Sequence, residues 1–409
     1  MSGNGGVKIT FERMMNEVVA LGSCCGCSMC VVTCPYGVIK YDPESQFPYV
    51  AKPAGGFDYC PISEKVGCDV CANACERLGP VHMKPIRPEA IDKAVFGKSR
   101  EENSEYGVVN YICAARSTDE AILSRGQDGG AVTAILKAAF EDGFIDGAAV
   151  AAPSDELWLK PVPKVVKSVD ELLKCSKSWY TYCATPLALK EAVDKHKLSK
   201  LALVGVSCEV SGYGTTLGAD TSFIAAQRGE KNVEKQVKHL KQYVEAVKLT
   251  IGLLCTETFV INGFIHDYLE KDLGINPSEV TKVNIKGKVV TDLKSGETIV
   301  TPLKEARVFQ RPQCNYCGDF SAEHADLSAG GIGADGWTIL LVRSERGDEA
   351  FRRAVEKGYL EVRPCTEFER SMKVLKRLTE KQRERVKEQY RLVGSSWEYI
   401  PEEMAQLGS

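Results

Sequence analysis

No stretch of this chain approaches the roughly 20 consecutive apolar residues that a membrane-crossing helix needs. No block of like charge stands out, and the formal net charge of −3 argues against a general affinity for nucleic acid or anionic membrane. Residues 1–8 are Gly-rich, with nothing to serve as the apolar core of a secretory signal, so the expected compartment is the cytoplasm. Histidine is scarce: five are scattered along 409 residues, and only His324 lies near a cysteine pair, where a structural role is expected. No side chain reads as a general acid or base. A Rossmann nicotinamide site would show a strand, a GxGxxG turn and a helix followed by an acidic residue, and the sequence holds no such unit.

Cysteine is what the chain has in excess, seventeen in all. Disulfide frameworks belong mostly to small secreted domains with poor cores, whereas 44% hydrophobic residues supply a real core here. Clustered cysteines in a cytoplasmic chain of this length point to metal binding or redox chemistry. Cys24, Cys27, Cys30 and Cys34, followed by Pro35, reproduce C-x2-C-x2-C-x3-C-P. In that run three thiolates wrap one 4Fe–4S cube and the fourth reaches a neighbouring one. Zinc sites pair a C-x2-C with a distant second pair, a poor match to this spacing. Cys68, Cys71 and Cys75 repeat the latter half of the motif, with Cys60 upstream for the first thiolate and Glu76 where the proline would be. Exchange between two clusters would put Cys24, Cys27, Cys30 and Cys75 on one cube, and Cys34, Cys60, Cys68 and Cys71 on the other. Cys25 is left over as a bystander.

Cys314 and Cys317 form a further C-x2-C pair after Arg311-Pro312, which fits zinc, a redox pair or half a cluster site. Cys208 and Cys255 end predicted strands, and ligands gather outside the carboxyl ends of strands in an open α/β sheet. These four cysteines either converge on a third cluster or are ordinary core residues. Cys113, Cys175, Cys183 and Cys365 follow no pattern and are expected in the core.

The expected fold class is α/β, with a two-cluster ferredoxin-like domain over residues 10–83 and an exposed, charged linker over 84–105. A large domain over 106–365 and a C-terminal helix and tail over 366–409 complete it. Apolar runs at 108–115, 147–152, 201–206, 249–254 and 337–344 read as strands. Helical patterns at 131–141, 187–196, 257–270 and 345–357 alternate with them, which predicts a largely parallel sheet. Residues 280–302 read as a small antiparallel insertion. In the tail, Thr366 and Glu369 form a capping box, and Phe368, Met372, Leu375 and Leu378 form an apolar stripe. That helix is expected to lie on its own domain, with docking to a partner subunit as the alternative.

Several segments of the large domain carry a resemblance. Residues 124–130 (SRGQDGG) run into a helix and then into Asp146-Gly147-Ala148-Ala149-Val150. Cys208 and Cys255 follow as strand ends, then 311–320 (RPQCNYCGDF), Ala325-Asp326-Leu327-Ser328, and the glycine-rich 330–337 (GGIGADGW). In this order, over residues 107–345, the chain resembles the coenzyme F420-reducing hydrogenase/dehydrogenase beta-subunit family, and its length is most like that of the formate dehydrogenase beta subunit. The resemblance implies a flavoprotein with FAD, three 4Fe–4S clusters in all, and hydride exchange with coenzyme F420. It places the third cluster on Cys208, Cys255, Cys314 and Cys317. It places FAD against Gly126, Gln127, Asp128, Gly129 and Gly130, against Ser176 and Lys177, and against Gly330, Gly331, Gly333 and Asp335. Lys177, Arg307 or Arg311 would hold the acidic tail of F420. A catalytic alpha subunit of the formate dehydrogenase type, in a larger electron-transfer complex, would perform the primary oxidation. The competing expectations are the electron-input subunit of F420H2 dehydrogenase, a ferredoxin-dependent reductase of another substrate, and a non-catalytic electron-transfer subunit.

Overall fold

The computed structural model describes residues 11–50, 60, 62–63, 68–79, 85–219 and 230–394, with the side chains of 230–233 left aside. The expected limits at residue 10 and at 83–84, and the tail from 395, lie outside the described residues. Near the N-terminus two short helices carry cysteines at matching places. α1 (Met29–Val32) holds Cys30 and is followed by Cys34, while α2 (Val70–Asn73) holds Cys71 and is followed by Cys75. β1 (Ile39–Asp42) and β2 (Phe47–Val50) form an antiparallel hairpin between them. Phe11, Met14, Val18, Val31, Ile39 and Leu78 close a small apolar core around these thiols.

The charged segment after this unit is not an exposed connection throughout. α3 (Pro88–Phe96) begins on a proline, whose fixed φ suits the first helical position, and stops at Gly97 in the left-handed conformation. It buries Ile91 and Asp92. Arg100 folds back onto Asp92, Nε to Oδ2 at 2.6 Å, and pairs with Glu323 as well. Charges that satisfy one another can sit at an interface, which is why the composition of this stretch misleads.

One eight-stranded sheet forms the centre, in the order β13-β3-β12-β11-β7-β6-β4-β5. Its strands are β3 (Tyr111–Ser117), β4 (Gly147–Pro153), β5 (Pro161–Val166), β6 (Leu201–Val206), β7 (Val247–Leu253), β11 (Leu327–Gly330), β12 (Thr338–Val342) and β13 (Leu360–Pro364). Only β4-β6-β7-β11 are parallel neighbours, and the other pairings are antiparallel. The sheet is therefore mixed rather than largely parallel. The short strands β5, β11 and β13 escape a sequence reading because proline, glycine and charge interrupt their apolar runs. The parallel core strands are buried on both faces and read as continuous apolar runs, as such strands do.

Helices cover both faces. α4 (Ala131–Glu141) and α8 (Glu345–Glu356) pack their alanines and Phe351 on one. The other carries α5 (Leu187–Asp194), α6 (Ser207–Leu217), α7 (Glu230–Ala246) and, through Met29, Val32 and Ala74, the N-terminal unit. β8 (Val280–Ile285), β9 (Lys288–Leu293) and β10 (Thr298–Pro302) form the expected antiparallel insertion. The segment expected to be helical from 257 becomes a π-helix over Gly263–Asp272. α9 (Glu369–Leu392) lies on its own domain, with Leu375 fully buried beside Trp337, Ile339 and Phe320.

Candidate functional site

The pairings run β3, β4, β6, β7 and β11 in one direction, so their carboxyl ends share one edge of the sheet. At that edge Cys208 sits in the first turn of α6, directly after β6, and Cys255 lies two residues beyond β7. A 3-10 turn over Pro312–Tyr316, set by the fixed φ of Pro312, presents Cys314 and then Cys317. Cys208, Cys255, Cys314 and Cys317 line a single cavity. Cys25 joins them on its wall, within reach of both Cys208 and Cys27.

Several contacts hold these thiols in place. The Glu209 carboxylate accepts from the Val206 and Thr185 amides, each at 2.9 Å, and so pins the start of α6. Burial pushes this carboxyl up to about 8. From α9, Gln382 Nε2 donates to the carbonyls of Cys255 and Asp319, both at 3.2 Å. Arg385 donates to the carbonyls of Thr256 at 2.7 Å and Cys314 at 2.9 Å. Burial raises the thiols of Cys255 and Cys317, the latter to about 11. A metal centre that takes them as thiolates must displace their protons.

The chemistry of the donor set suits an iron–sulfur cluster better than one ion. Among the described residues no three His, Cys, Asp or Glu side chains stand close enough together for a single metal ion. A zinc ion draws its ligands to about 2.0–2.3 Å, whereas a cube gives each thiolate its own iron and spreads them. Several buried polar atoms on the cavity wall, among them Arg311 Nη2, Ser207 Oγ and Tyr182 Oη, have no hydrogen-bond partner among the described residues. Such donors suit the sulfurs of an anionic cluster.

The N-terminal thiols lie close to one another. Cys30 feels the charges of Cys24, Cys75 and Cys34, and Cys71 feels those of Cys30, Cys68, Cys34 and Cys60. The loop with Cys27 rests on α6, where a methyl group at Gly212 would stand 3.0 Å from the Cys27 sulfur.

The glycine-rich segments meet at the same sheet edge. Gly129 takes a φ of +65° directly against the backbone at Trp337 and Thr338. Thr338 Oγ1 donates to the Asp128 carbonyl at 2.6 Å. Gly331 packs on the Asp128 side chain, leaving no room for a Cβ. Lys286, in the β8–β9 turn, bridges Asp128 at 2.9 Å and Asp335 at 2.7 Å. Thr133 Oγ1 reaches Ser176 Oγ at 3.3 Å in the first turn of α4. The segments holding Gly126, Gly130, Ser176, Gly330 and Gly333 are thus brought to one place. Lys177 Nζ stacks 4.4 Å above Trp158 beside it.

Comparison with known proteins decides the family. Residues 198–367 match the profile for the C terminus of the coenzyme F420 hydrogenase/dehydrogenase beta subunit, and residues 112–190 match its N-terminal counterpart. A coenzyme F420 hydrogenase subunit beta from Methanothermobacter thermautotrophicus is 32% identical, over 68% of this chain and 93% of that protein. The chain belongs to the coenzyme F420 hydrogenase/dehydrogenase beta-subunit family. In the solved F420-reducing [NiFe] hydrogenase complex from Methanosarcina barkeri, one chain superposes on this one with a TM-score of 0.63 at 27% identity. The match covers 73% of this chain and 98% of that one. The F subunit of the F(420)H(2) dehydrogenase of Methanosarcina mazei is 27% identical over 82% of this chain and 83% of its own length. An F420-dependent formate dehydrogenase subunit beta from Methanocaldococcus jannaschii is 26% identical over 62% of this chain, so the formate type is not singled out.

Within this member of the beta-subunit family, the structure revises two roles read from sequence. Cys25 is no bystander, since it lies between two thiol groups. Its place beside Cys24 was the only signal. Arg311 is 3% exposed beneath the cysteines and is not available to a ligand tail in solvent. Arg307 is ion-paired with Glu257 at 2.7 Å. Among the described residues no helix is long and apolar enough to cross a membrane.

Proposed function

We propose that this chain is an electron-transfer flavoprotein subunit that connects a partner's redox chemistry to coenzyme F420 through three 4Fe–4S clusters and FAD. When bound, the clusters carry single electrons, and the flavin joins them to two-electron hydride exchange. The observation that carries the reading is the convergence of Cys208, Cys255, Cys314 and Cys317 on one cavity, at the sheet edge where the glycine loops meet. Cys24, Cys27, Cys30 and Cys75, with Cys34, Cys60, Cys68 and Cys71, would hold the other two clusters. The turn at Gly129 and Gly130 lets backbone amides approach a pyrophosphate at the start of α4. Lys286 is placed to trade its carboxylate partners for phosphate.

The partner is a catalytic subunit that performs the primary oxidation, of the formate dehydrogenase type in the first reading. The second reading, an electron-input subunit for F420H2 oxidation, is favoured by the alignment with the F(420)H(2) dehydrogenase protein, which extends over 82% of this chain.

The test is made on anaerobically purified protein. About twelve iron atoms per chain, from three four-iron cubes, and one FAD are expected. Mixed with F420H2 and oxidised viologen, the protein should restore deazaflavin absorbance as two viologens are reduced for each F420H2 oxidised. About eight irons would remove the third cluster, and turnover with NADH but not F420H2 would overturn the cosubstrate.

A further inference from the structure

Among the described residues, three guanidinium groups stand at the four-cysteine site, and two of them have carboxylate partners. Arg77 Nε lies 3.2 Å from Glu76, and Arg385 Nη1 lies 3.2 Å from Glu257. Arg311 is different. Its guanidinium lies 3.8 Å over the ring of Tyr182, and Nη1 donates to the Cys25 carbonyl at 3.1 Å. Nη2 is buried without a hydrogen-bond partner, on the wall shared with the four cysteines. A ring face and a carbonyl are weak compensation for a permanent charge that is 3% exposed. A buried cation needs negative charge nearby, and thiolates around an iron centre bring it.

We propose that Arg311 is a positioning residue that sets the reduction potential of the cluster held by Cys208, Cys255, Cys314 and Cys317, as an unpaired cation and N–H donor fixed between Tyr182 and the Cys25 carbonyl. The inference rests on the proposed cluster reading and adds which side chain tunes one centre. Reduction adds one negative charge to the cluster, and a neighbouring cation favours that form. Hydrogen bonds to sulfur and local charge are the protein's levers on such potentials. Arginine suits the place because its plane stacks on the ring while its fork reaches both the carbonyl and the cavity. The Cys25 carbonyl belongs to the N-terminal unit, so docking of that unit and the potential of the distant centre are tied through one side chain.

The experiment is a potentiometric titration followed by electron paramagnetic resonance, on the full chain purified anaerobically. In Arg311→Gln one of the three cluster signals should move to lower potential, by at least a tenfold change in its one-electron equilibrium, ~59 mV. The other two should stay, and Arg311→Lys should move the same signal less. An unmoved signal in a variant that keeps its iron overturns the proposal, as does an equal shift of all three. Should Arg311→Gln lose iron, Tyr182→Leu removes the ring but no charge and should still shift that one signal downward. No shift there overturns the proposal too. Failure of the cluster reading shows separately: Cys314→Ser would then leave the iron content and every signal unchanged, and Arg311 would have nothing to tune.

Discussion

At the scale of single residues, a buried histidine gives the chain a defined response to acid. His324 Nδ1 lies 2.8 Å from the Ser211 hydroxyl, and Nε2 lies 3.2 Å from the Pro88 carbonyl. A carbonyl can only accept, so Nε2 carries the proton and Nδ1 accepts from Ser211. Burial, with Arg100 nearby, lowers the ring from 6.5 to about 4. The folded form prefers the neutral ring, so this contribution is whole above pH 6.5 and is lost as pH falls toward 4. Burial alone would raise Glu323, but Arg100 and Arg383 outweigh it and bring the carboxyl from 4.5 to about 2. Its contribution is whole above 4.5 and is lost only as pH falls toward 2. The raised Glu209 carboxyl gains stability in the opposite direction, so the comparison is with a variant. The melting temperature of the parent chain relative to His324→Gln should fall as pH drops from 6.5 to 4 and stay level on either side. An unchanged profile in that variant would show that the ring does not titrate with unfolding. The sequence already placed His324 as structural, but its charged neighbours Asp92 and Arg100 come from 88–100, and Arg383 reaches the adjacent Glu323 from 369–392, so none could be read from its own surroundings.

At the scale of elements, α9 is the part of the fold whose meaning the sequence left open. Its stripe of Phe368, Met372, Leu375 and Leu378 was legible because helical periodicity depends only on spacing. That Gln382 and Arg385 reach the backbone of the cysteine-bearing loops was not, because those contacts join residues far apart in the chain. Gln382→Ala removes the amide that donates to both the Cys255 and Asp319 carbonyls and should cost about 1–3 kcal/mol of stability. Leu375→Ala opens a cavity in a fully buried position and should cost about 2–5 kcal/mol. The two variants separate stability from site integrity: only Gln382→Ala should also speed iron loss to a chelator. Equal loss from both would mean that α9 acts on the site through packing alone. The strands were read by the same logic of spacing. Long apolar runs gave β3, β4, β6, β7 and β12 to within a few residues, whereas the mixed directions depend on connections that no local pattern encodes.

At the scale of the whole molecule, two regions that looked like beads on a string are one body. Met29, Val32 and Ala74 share a core with Leu189, Leu203 and Tyr213, Gln46 donates to the Tyr182 carbonyl, and Arg77 reaches the Tyr316 carbonyl. Cysteine spacing picked out the N-terminal run and the Cys314–Cys317 pair because each motif is local, while Cys208 and Cys255 were joined to that pair only through the family resemblance. It said nothing of how the groups face each other, which depends on surfaces hundreds of residues apart. α6 governs that facing. It opens at Cys208 and, one turn on, passes Gly212 beneath the Cys27 sulfur with no side chain between. At that point bare backbone meets the Cys27 sulfur, while the Cys25 side chain reaches both thiol groups beside it. With clusters held as proposed, electron hopping between them would fall off steeply with separation, and Gly212 would work as a spacer of minimum thickness. Gly212→Ala should leave iron content and potentials as they are yet slow the passage of electrons from the N-terminal unit, as followed by rapid-freeze reduction. An unchanged rate would mean that current does not cross at this helix.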